Sequence, residues 1–117
     1  MELIIYSKCS TCKKAKNYLD NKNIKYNLRE IKEFTPTKEE ITKWLEKYNI
    51  DINKLFNTSG LIYRELNLKD KLKNMTTKDK INLLSQNAML IKRPILVCDN
   101  NLLVGFKEKE WQSINDK

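Results

Sequence analysis

No histidine occurs anywhere in this sequence of 117 residues. Histidine is the commonest metal ligand and the usual general base near neutral pH, so Cys-His and Ser-His-Asp mechanisms are excluded. Glycine and proline are also scarce, with two residues of each. Because they are so few, each is expected to mark a specific backbone requirement. These residues are Pro36, Gly60, Pro94 and Gly105.

Long apolar segments are absent as well. No apolar run approaches the length that crosses a bilayer, and the chain does not open with a basic region followed by a signal-type apolar stretch. We therefore expect no membrane association and a cytoplasmic location. Reducing systems keep structural disulfides rare in the cytoplasm, so closely spaced cysteines there indicate redox or metal chemistry.

Acidic residues are fewer than basic ones: the chain has 15 Asp and Glu and 23 Lys and Arg, which give a formal charge of +8. An anionic partner (nucleic acid, an acidic protein surface or an oxyanion) would explain this excess, but a solvated lysine-rich surface is the simpler interpretation. The lysines are spread along the chain, and no basic strand carries interleaved aromatic residues. We therefore do not expect direct DNA binding. Nothing in the pattern indicates an obligate oligomer, so a monomer is expected.

The most informative stretch is Cys9-Ser10-Thr11-Cys12, a C-x-x-C between an apolar run and a helical pattern. At a strand-to-helix junction the first thiol lies at the helix N-terminus, where unpaired N–H groups and the helix dipole favour a thiolate. Cys9 is therefore the candidate nucleophile, with Ser10 and Thr11 as candidate contacts for an anion or substrate. The alternative is an incidental, unreactive pair.

The other two cysteines have less direct interpretations. Cys12 is either a resolving thiol that attacks a mixed disulfide on Cys9, or a small apolar residue on the buried helix face. Cys98 lies in an apolar run and is expected to be a buried, unreactive core residue. Three cysteines without histidine do not supply the four ligands of a structural zinc site, so no metal is expected.

Apolar periodicity predicts a β-α-β unit at the N-terminus, made of strand 2–6, helix 11–22 and strand 25–31. Near the C-terminus, the apolar runs 95–98 and 102–106 flank an Asx-rich turn and predict a β-hairpin. A short helix with Trp111 and Ile114 facing inward follows the hairpin.

Helical patterns fill the middle of the chain. Thr37 with Glu40 fits a capping box at the start of one helix, and Thr76 or Thr77 caps a later one. Residues 38–88 are therefore expected to form an all-helical insertion. The order β-α-β, helices, β-β-α predicts an α/β, thioredoxin-like fold with a four-stranded mixed sheet, in a single domain over 1–117.

Arg93-Pro94 directly precedes the first hairpin strand. In the functional interpretation, the Arg93 side chain faces an anion held at the Cys9 helix N-terminus, and Pro94 lies next to the thiols. X–Pro is also the one setting in which a cis peptide bond is inexpensive. The alternative is a surface arginine followed by an ordinary strand-initiating proline.

Together these motifs resemble the ArsC/Spx family, the arsenate-reductase-like branch of the thioredoxin fold. The resemblance covers nearly the whole chain and is closest to the small C-x-x-C-bearing members found in Gram-positive bacteria. The segments that carry it are Tyr6–Ala15, Phe56–Gly60, Tyr63–Leu66, Leu90–Ile95 and Val104–Phe106.

The resemblance implies roles for individual residues. It makes Cys9 the nucleophile and Arg93 the anion-contacting arginine, with a cis peptide bond before Pro94. In the arsenate reductases two further arginines surround the oxyanion; here the first position corresponds to Asn57, and the second falls near Gly105-Phe106. Efficient arsenate reduction is therefore not expected, because two charged donors are missing.

Three functions follow, in order of preference. The first is a cytoplasmic thiol–disulfide oxidoreductase, an enzyme for a thiol/disulfide or oxyanion substrate, in which Cys9 attacks a disulfide or another thiol-reactive group and Cys12 resolves the intermediate. It needs no bound cofactor, only a cellular thiol reductant such as glutathione, glutaredoxin or thioredoxin. The second, implied by the resemblance, is an Spx-like redox-responsive regulator that binds the C-terminal domain of the RNA polymerase α subunit. The third is a true arsenate reductase.

Overall fold

A four-stranded mixed sheet organises the terminal parts of the chain in the computed structural model, which describes residues 1–114. Its strands are β1 (Glu2–Ile5), β2 (Asn27–Glu30), β3 (Ile95–Val97) and β4 (Leu102–Val104). In the order β2-β1-β3-β4, β1 runs parallel to β2 and antiparallel to β3, and β3 runs antiparallel to β4. The helices are α1 (Ser10–Asn21), α2 (Lys38–Tyr48), α3 (Leu61–Glu65), α4 (Leu68–Lys71), α5 (Thr77–Gln86) and α6 (Glu108–Trp111). This architecture confirms the predicted fold class.

The chain divides into two compact units. One contains 1–31 together with the segment that begins at Arg93, and the other contains 32–92. The assignment of 1–117 to a single domain stays a prediction, and its last three positions lie outside the described residues. No helix among the described residues is long and apolar enough to cross a bilayer.

The sheet-bearing unit is built around one face of α1. Cys12, Ala15 and Leu19 recur at helical spacing and are fully buried, as the periodicity predicts. They share a core cluster with residues of β1 and β3 and with Trp111, whose indole N–H donates to the Gly105 carbonyl at 3.2 Å. Gly105 has φ of 78°, a left-handed conformation that explains why glycine occupies this position.

The unit over 32–92 is mainly helical. Ile41 and Trp44 of α2 and Leu84 of α5 are buried, and α2 contacts α5. A 3₁₀ turn forms over Ile52–Leu55. No clear periodicity in the sequence predicted helix α4 or two further 3₁₀ turns, Leu72–Asn74 and Ala88–Leu90. Each of these elements is shorter than two helical turns.

The strands are shorter than their apolar runs. β2 begins at Asn27 rather than at 25, and the Tyr26 hydroxyl just before it donates to Asp20 Oδ1 at 2.6 Å. β3 ends at Val97, because the Cys98 N–H donates to the Asn101 carbonyl at 3.0 Å and closes the turn. The predicted strands therefore include flanking residues that do not pair in the sheet.

Helix caps agree with the sequence signals. The Thr37 hydroxyl accepts the Glu40 N–H at 3.1 Å, which confirms Thr37 as the N-cap of α2. At α5 the structure selects Thr76 over Thr77: the Thr76 hydroxyl accepts the Asp79 N–H at 3.1 Å, and Asp79 Oδ2 accepts the Thr76 N–H at 3.4 Å. The two contacts form a reciprocal capping box.

Thr76→Ala is expected to lower the free energy of unfolding by roughly 0.5–2 kcal/mol, because it leaves a helix-terminal N–H without its acceptor. Thr77→Ala, one residue inside the helix, is the matched control and should change it by less than about 0.5 kcal/mol. Urea unfolding followed by circular dichroism measures both variants. Equal losses in the two variants would contradict the assignment of the cap.

Candidate active site

The Cys9 side chain is the N-cap of α1. Its backbone is extended, with φ of −94° and ψ of 120°, and its Sγ accepts the Cys12 N–H at 3.4 Å. The turn before the helix closes where the Cys9 N–H donates to the Tyr6 carbonyl at 3.0 Å. The sulfur therefore lies at the helix N-terminus, where the sequence predicted it.

The pKa of the Cys9 thiol lies below its ordinary value. Burial, the largest single influence, raises the pKa, but several favourable contacts together outweigh it. They are hydrogen bonds from the Cys12 thiol and backbone, the positive charge of Arg93 and a hydrogen bond from the Thr11 backbone. Because the residue is only partly buried, the thiolate is accessible as well as stabilised.

The Cys12 thiol has the opposite character. It is fully buried on α1, and burial is the main reason its pKa rises to about 12. A hydrogen bond from the Tyr6 backbone is the main opposing influence on this pKa, while the hydrogen bond to Cys9 and the charge of Cys9 raise it further and Arg93 lowers it least. At neutral pH Cys12 is a neutral thiol that donates to the Cys9 sulfur, so the motif combines a thiol whose pKa is lowered with one whose pKa is raised.

Arg93 and Pro94 lie beside the end of β1. Ile4 pairs with Ile95 in the antiparallel register of β1 and β3, so Arg93-Pro94 runs alongside the residues that lead into the cysteine turn. The Arg93–Pro94 peptide bond is cis, as the family resemblance implied. The Arg93 guanidinium carbon is 5.3 Å from the centroid of the Tyr6 ring.

The remaining predicted site residues are placed differently. Ser10 and Thr11 are the first two residues of α1 and are exposed, and the Thr11 backbone faces the Cys9 sulfur. Asn57 belongs to the unit over 32–92, where its N–H donates to the Leu90 carbonyl at 2.7 Å. The anion- or substrate-binding roles of these residues stay predictions.

Two residues of this region were not singled out as site residues from the sequence. One is Tyr6, through its ring contact with Arg93. The other is Glu30, the last residue of β2, whose Oε1 accepts the Ser7 N–H at 2.9 Å. The hydrogen bond connects the end of β2 to the turn before Cys9. Only the pairing of Ile5 with Glu30 in the parallel register brings the two segments together, and the sequence carries no signal for that register.

Cys98 departs from expectation. It is half-buried rather than fully buried, and it lines an open groove with Met1, Ile24 and Ile114. Burial is the main reason that the pKa of its thiol is raised, so an unreactive thiol remains the expectation. Within the described part of the chain, no group of three or more Cys, Asp or Glu side chains is placed to hold a metal ion.

Comparison with known proteins identifies the family. Residues 4–114 match the model of the ArsC family, and the chain belongs to this family. The uncharacterized protein YusI of Bacillus subtilis (strain 168) is 45% identical over 107 residues, which cover 92% of this chain and 91% of YusI.

Several relatives bear the names of regulators. Regulatory protein MgsR of Bacillus subtilis (strain 168) is 30% identical over 112 residues, covering 96% of this chain and 87% of MgsR. Global transcriptional regulator Spx 1 of Bacillus cereus is 28% identical over 102 residues, covering 87% of this chain and 76% of Spx 1. Membership of the ArsC/Spx family, inferred from the motifs, is thereby confirmed.

Solved structures agree with this assignment. An ArsC family related protein from Bacteroides fragilis has a TM-score of 0.89 and 44% identity, covering 94% of this chain and 92% of that one. A protein described as a possible arsenate reductase from Streptococcus mutans UA159 has a TM-score of 0.85 and 38% identity, covering 95% of this chain and 96% of that one.

The opposite pKa shifts of Cys9 and Cys12 can be tested in a Cys98→Ser protein. The rate of Cys9 alkylation by iodoacetamide should reach half its maximum below the ordinary thiol pKa of about 8.5, because the folded site favours the Cys9 thiolate. Cys12 should stay unmodified over the same range, because its pKa is raised to about 12. Peptide mass spectrometry resolves the two sites. A Cys9 rate that rises only near the ordinary value would contradict activation.

Proposed function

We propose that this protein is a cytoplasmic thiol–disulfide oxidoreductase with Cys9 as nucleophile and Cys12 as resolving thiol. The observation that carries the proposal is the pairing of a partly buried Cys9, whose pKa is lowered, with a fully buried Cys12, whose pKa is raised, at the N-terminus of one helix. Such an arrangement separates the attacking sulfur from the one that acts later.

In the first step the Cys9 thiolate attacks one sulfur of a substrate disulfide. An S–S bond forms between Cys9 and that half of the substrate, the original S–S bond breaks, and the other half leaves as a thiolate that takes up a proton. Arg93 lies within electrostatic range of both cysteines, and its charge stabilises negative sulfur during the exchange.

In the second step Cys12 attacks the Cys9 sulfur. Once Cys9 is part of a mixed disulfide it no longer carries the negative charge that raises the pKa of Cys12, although burial still does. Cys12 gives up its proton to the departing substrate thiolate, and a Cys9–Cys12 disulfide forms. Two electrons have then passed to the substrate. A cellular thiol reductant, such as glutathione, glutaredoxin or thioredoxin, reduces the pair again.

A redox-responsive regulator is the second candidate, favoured by the names of MgsR and Spx 1. The same exchange chemistry would serve as a switch, with the Cys9–Cys12 disulfide altering affinity for a protein partner. The partner would be the C-terminal domain of the RNA polymerase α subunit, docking on the surface around 57–64.

Arsenate reduction is the third candidate, favoured by the Streptococcus mutans neighbour. Of the three arginines that the resemblance associates with the oxyanion, this chain has Arg93, with Asn57 and the Gly105 region at the other positions. Because a neutral amide and a glycine stabilise a developing anion less than guanidinium groups do, this activity ranks below the other two.

The oxidoreductase proposal is tested by mixing prereduced protein with a disulfide-linked peptide in single turnover. In a Cys98→Ser background, Cys9→Ser should lower the rate by roughly 100-fold or more, because the attacking sulfur is gone. Cys12→Ser should instead retain the first step and accumulate a mixed disulfide at Cys9, visible by mass spectrometry. Retention of the full rate in Cys9→Ser would refute the proposal, and Cys98→Ser alone should behave as wild type.

The regulator alternative is tested by capture on the immobilised C-terminal domain of RNA polymerase α, under reducing and oxidising conditions. The alternative predicts binding that differs between the two conditions and becomes independent of redox state in Cys12→Ser, which cannot form the disulfide. The oxidoreductase proposal predicts no specific capture in either condition. Absence of binding in both conditions would eliminate the alternative.

A further inference from the structure

Tyr6 links the turn that carries the thiols to the arginine beside them. Its backbone carbonyl accepts the Cys9 N–H at 3.0 Å, so its position is tied to that of Cys9. Its half-buried ring lies 5.3 Å, centroid to guanidinium carbon, from Arg93. One residue therefore contacts the nucleophile through its main chain and the cation through its side chain.

Hydrogen bonds to the end of β2 also hold the turn that precedes Cys9. The Ser7 N–H, next along the chain, donates to Glu30 Oε1 at 2.9 Å, and the Ile31 N–H donates to the Ile5 carbonyl at 2.8 Å. These contacts attach the end of β1 and the start of the turn to the end of β2. The Tyr6 ring is thus anchored on a defined backbone.

We propose that Tyr6 is a positioning residue that holds the Arg93 guanidinium beside the Cys9 sulfur through contact with its aromatic ring. The inference rests on the proposed function, in which Cys9 is the nucleophile and Arg93 stabilises negative sulfur. It adds a residue to which the sequence assigned no role, and a reason for an aromatic side chain at that position.

An aromatic ring is suited to this task for an electrostatic reason. Arginine has many rotamers, so an unrestrained guanidinium would spend much of its time in solvent, away from the sulfur. A carboxylate would restrain it but would also cancel its charge towards the thiolate. The face of a ring attracts the cation without carrying a net negative charge, so this contact does not itself cancel the charge of Arg93 towards Cys9.

The test compares Tyr6→Leu with Tyr6→Phe in the Cys98→Ser protein, by the pH dependence of Cys9 alkylation with iodoacetamide. Tyr6→Phe keeps the ring and should retain the wild-type profile. Tyr6→Leu keeps comparable apolar bulk but loses the ring, and should slow alkylation near pH 6.5 by roughly two- to fivefold with the midpoint moved upward. Arg93→Met should cause a shift at least as large.

A double-mutant cycle separates positioning from a structural effect. Because Tyr6 is proposed to act through Arg93, adding Tyr6→Leu to Arg93→Met should produce little further shift. Tyr18→Leu is the matched control: Lys22 Nζ lies 5.0 Å from the Tyr18 ring, a similar cation–ring contact at the C-terminal end of α1 that does not involve Arg93. This variant should lose stability to urea without moving the Cys9 profile.

The outcomes distinguish the inference from the function on which it rests. An unshifted profile in Tyr6→Leu or in Arg93→Met, equal shifts in Tyr6→Leu and Tyr6→Phe, or additive shifts in the double variant would each overturn the role of Tyr6. All four leave Cys9 as nucleophile and Cys12 as resolving thiol if the wild-type midpoint is low and Cys9→Ser is inactive, although an unshifted profile in Arg93→Met also removes the stabilising role of Arg93. A wild-type midpoint at the ordinary thiol pKa would instead remove the proposed function together with the inference.

Discussion

At the start of α1, the Cys9 sulfur occupies the place that a serine or aspartate oxygen usually takes as an N-cap. It accepts the N–H of Cys12, and this contact connects helix formation to the chemistry of the thiol. The helix begins where the sulfur can accept a backbone hydrogen bond. The sulfur is in turn stabilised as a thiolate because it lies at the N-terminus of the helix. Both cysteines of the motif depend on this one junction.

The junction has consequences on both sides. Towards the core, α1 carries Cys12 into the same buried cluster as Leu19, so burial keeps that thiol protonated. Towards the turn, the Cys9 sulfur stays partly accessible and lies within range of the Arg93 charge. One helix therefore shifts the pKa values of two chemically equivalent side chains in opposite directions, down for Cys9 and up for Cys12.

Much of this arrangement was accessible from local patterns. The C-x-x-C between a strand and a helix predicted the position of Cys9, and the apolar spacing predicted the buried face of α1. The hydroxyl of Thr37 was recognisable as a cap because capping is decided within one helical turn. The short helix α4 and the half-buried state of Cys98 were not predictable, since brief segments have weak periodicity and an apolar run does not reveal how much solvent each residue meets.

The sequence by itself determined the order of the main strands and helices and the C-x-x-C motif, because each of these depends on residues close together in the chain. It also determined the family, because the family motifs are short local segments in a fixed order. Only the tertiary structure decided which residues surround the sulfur. Glu30 reaches the cysteine turn through the register of two parallel strands, and Arg93 reaches Tyr6 through the antiparallel register of two others. Those registers arise from packing between segments far apart in the chain, so the partners that tune the thiols appear only once the sheet is assembled.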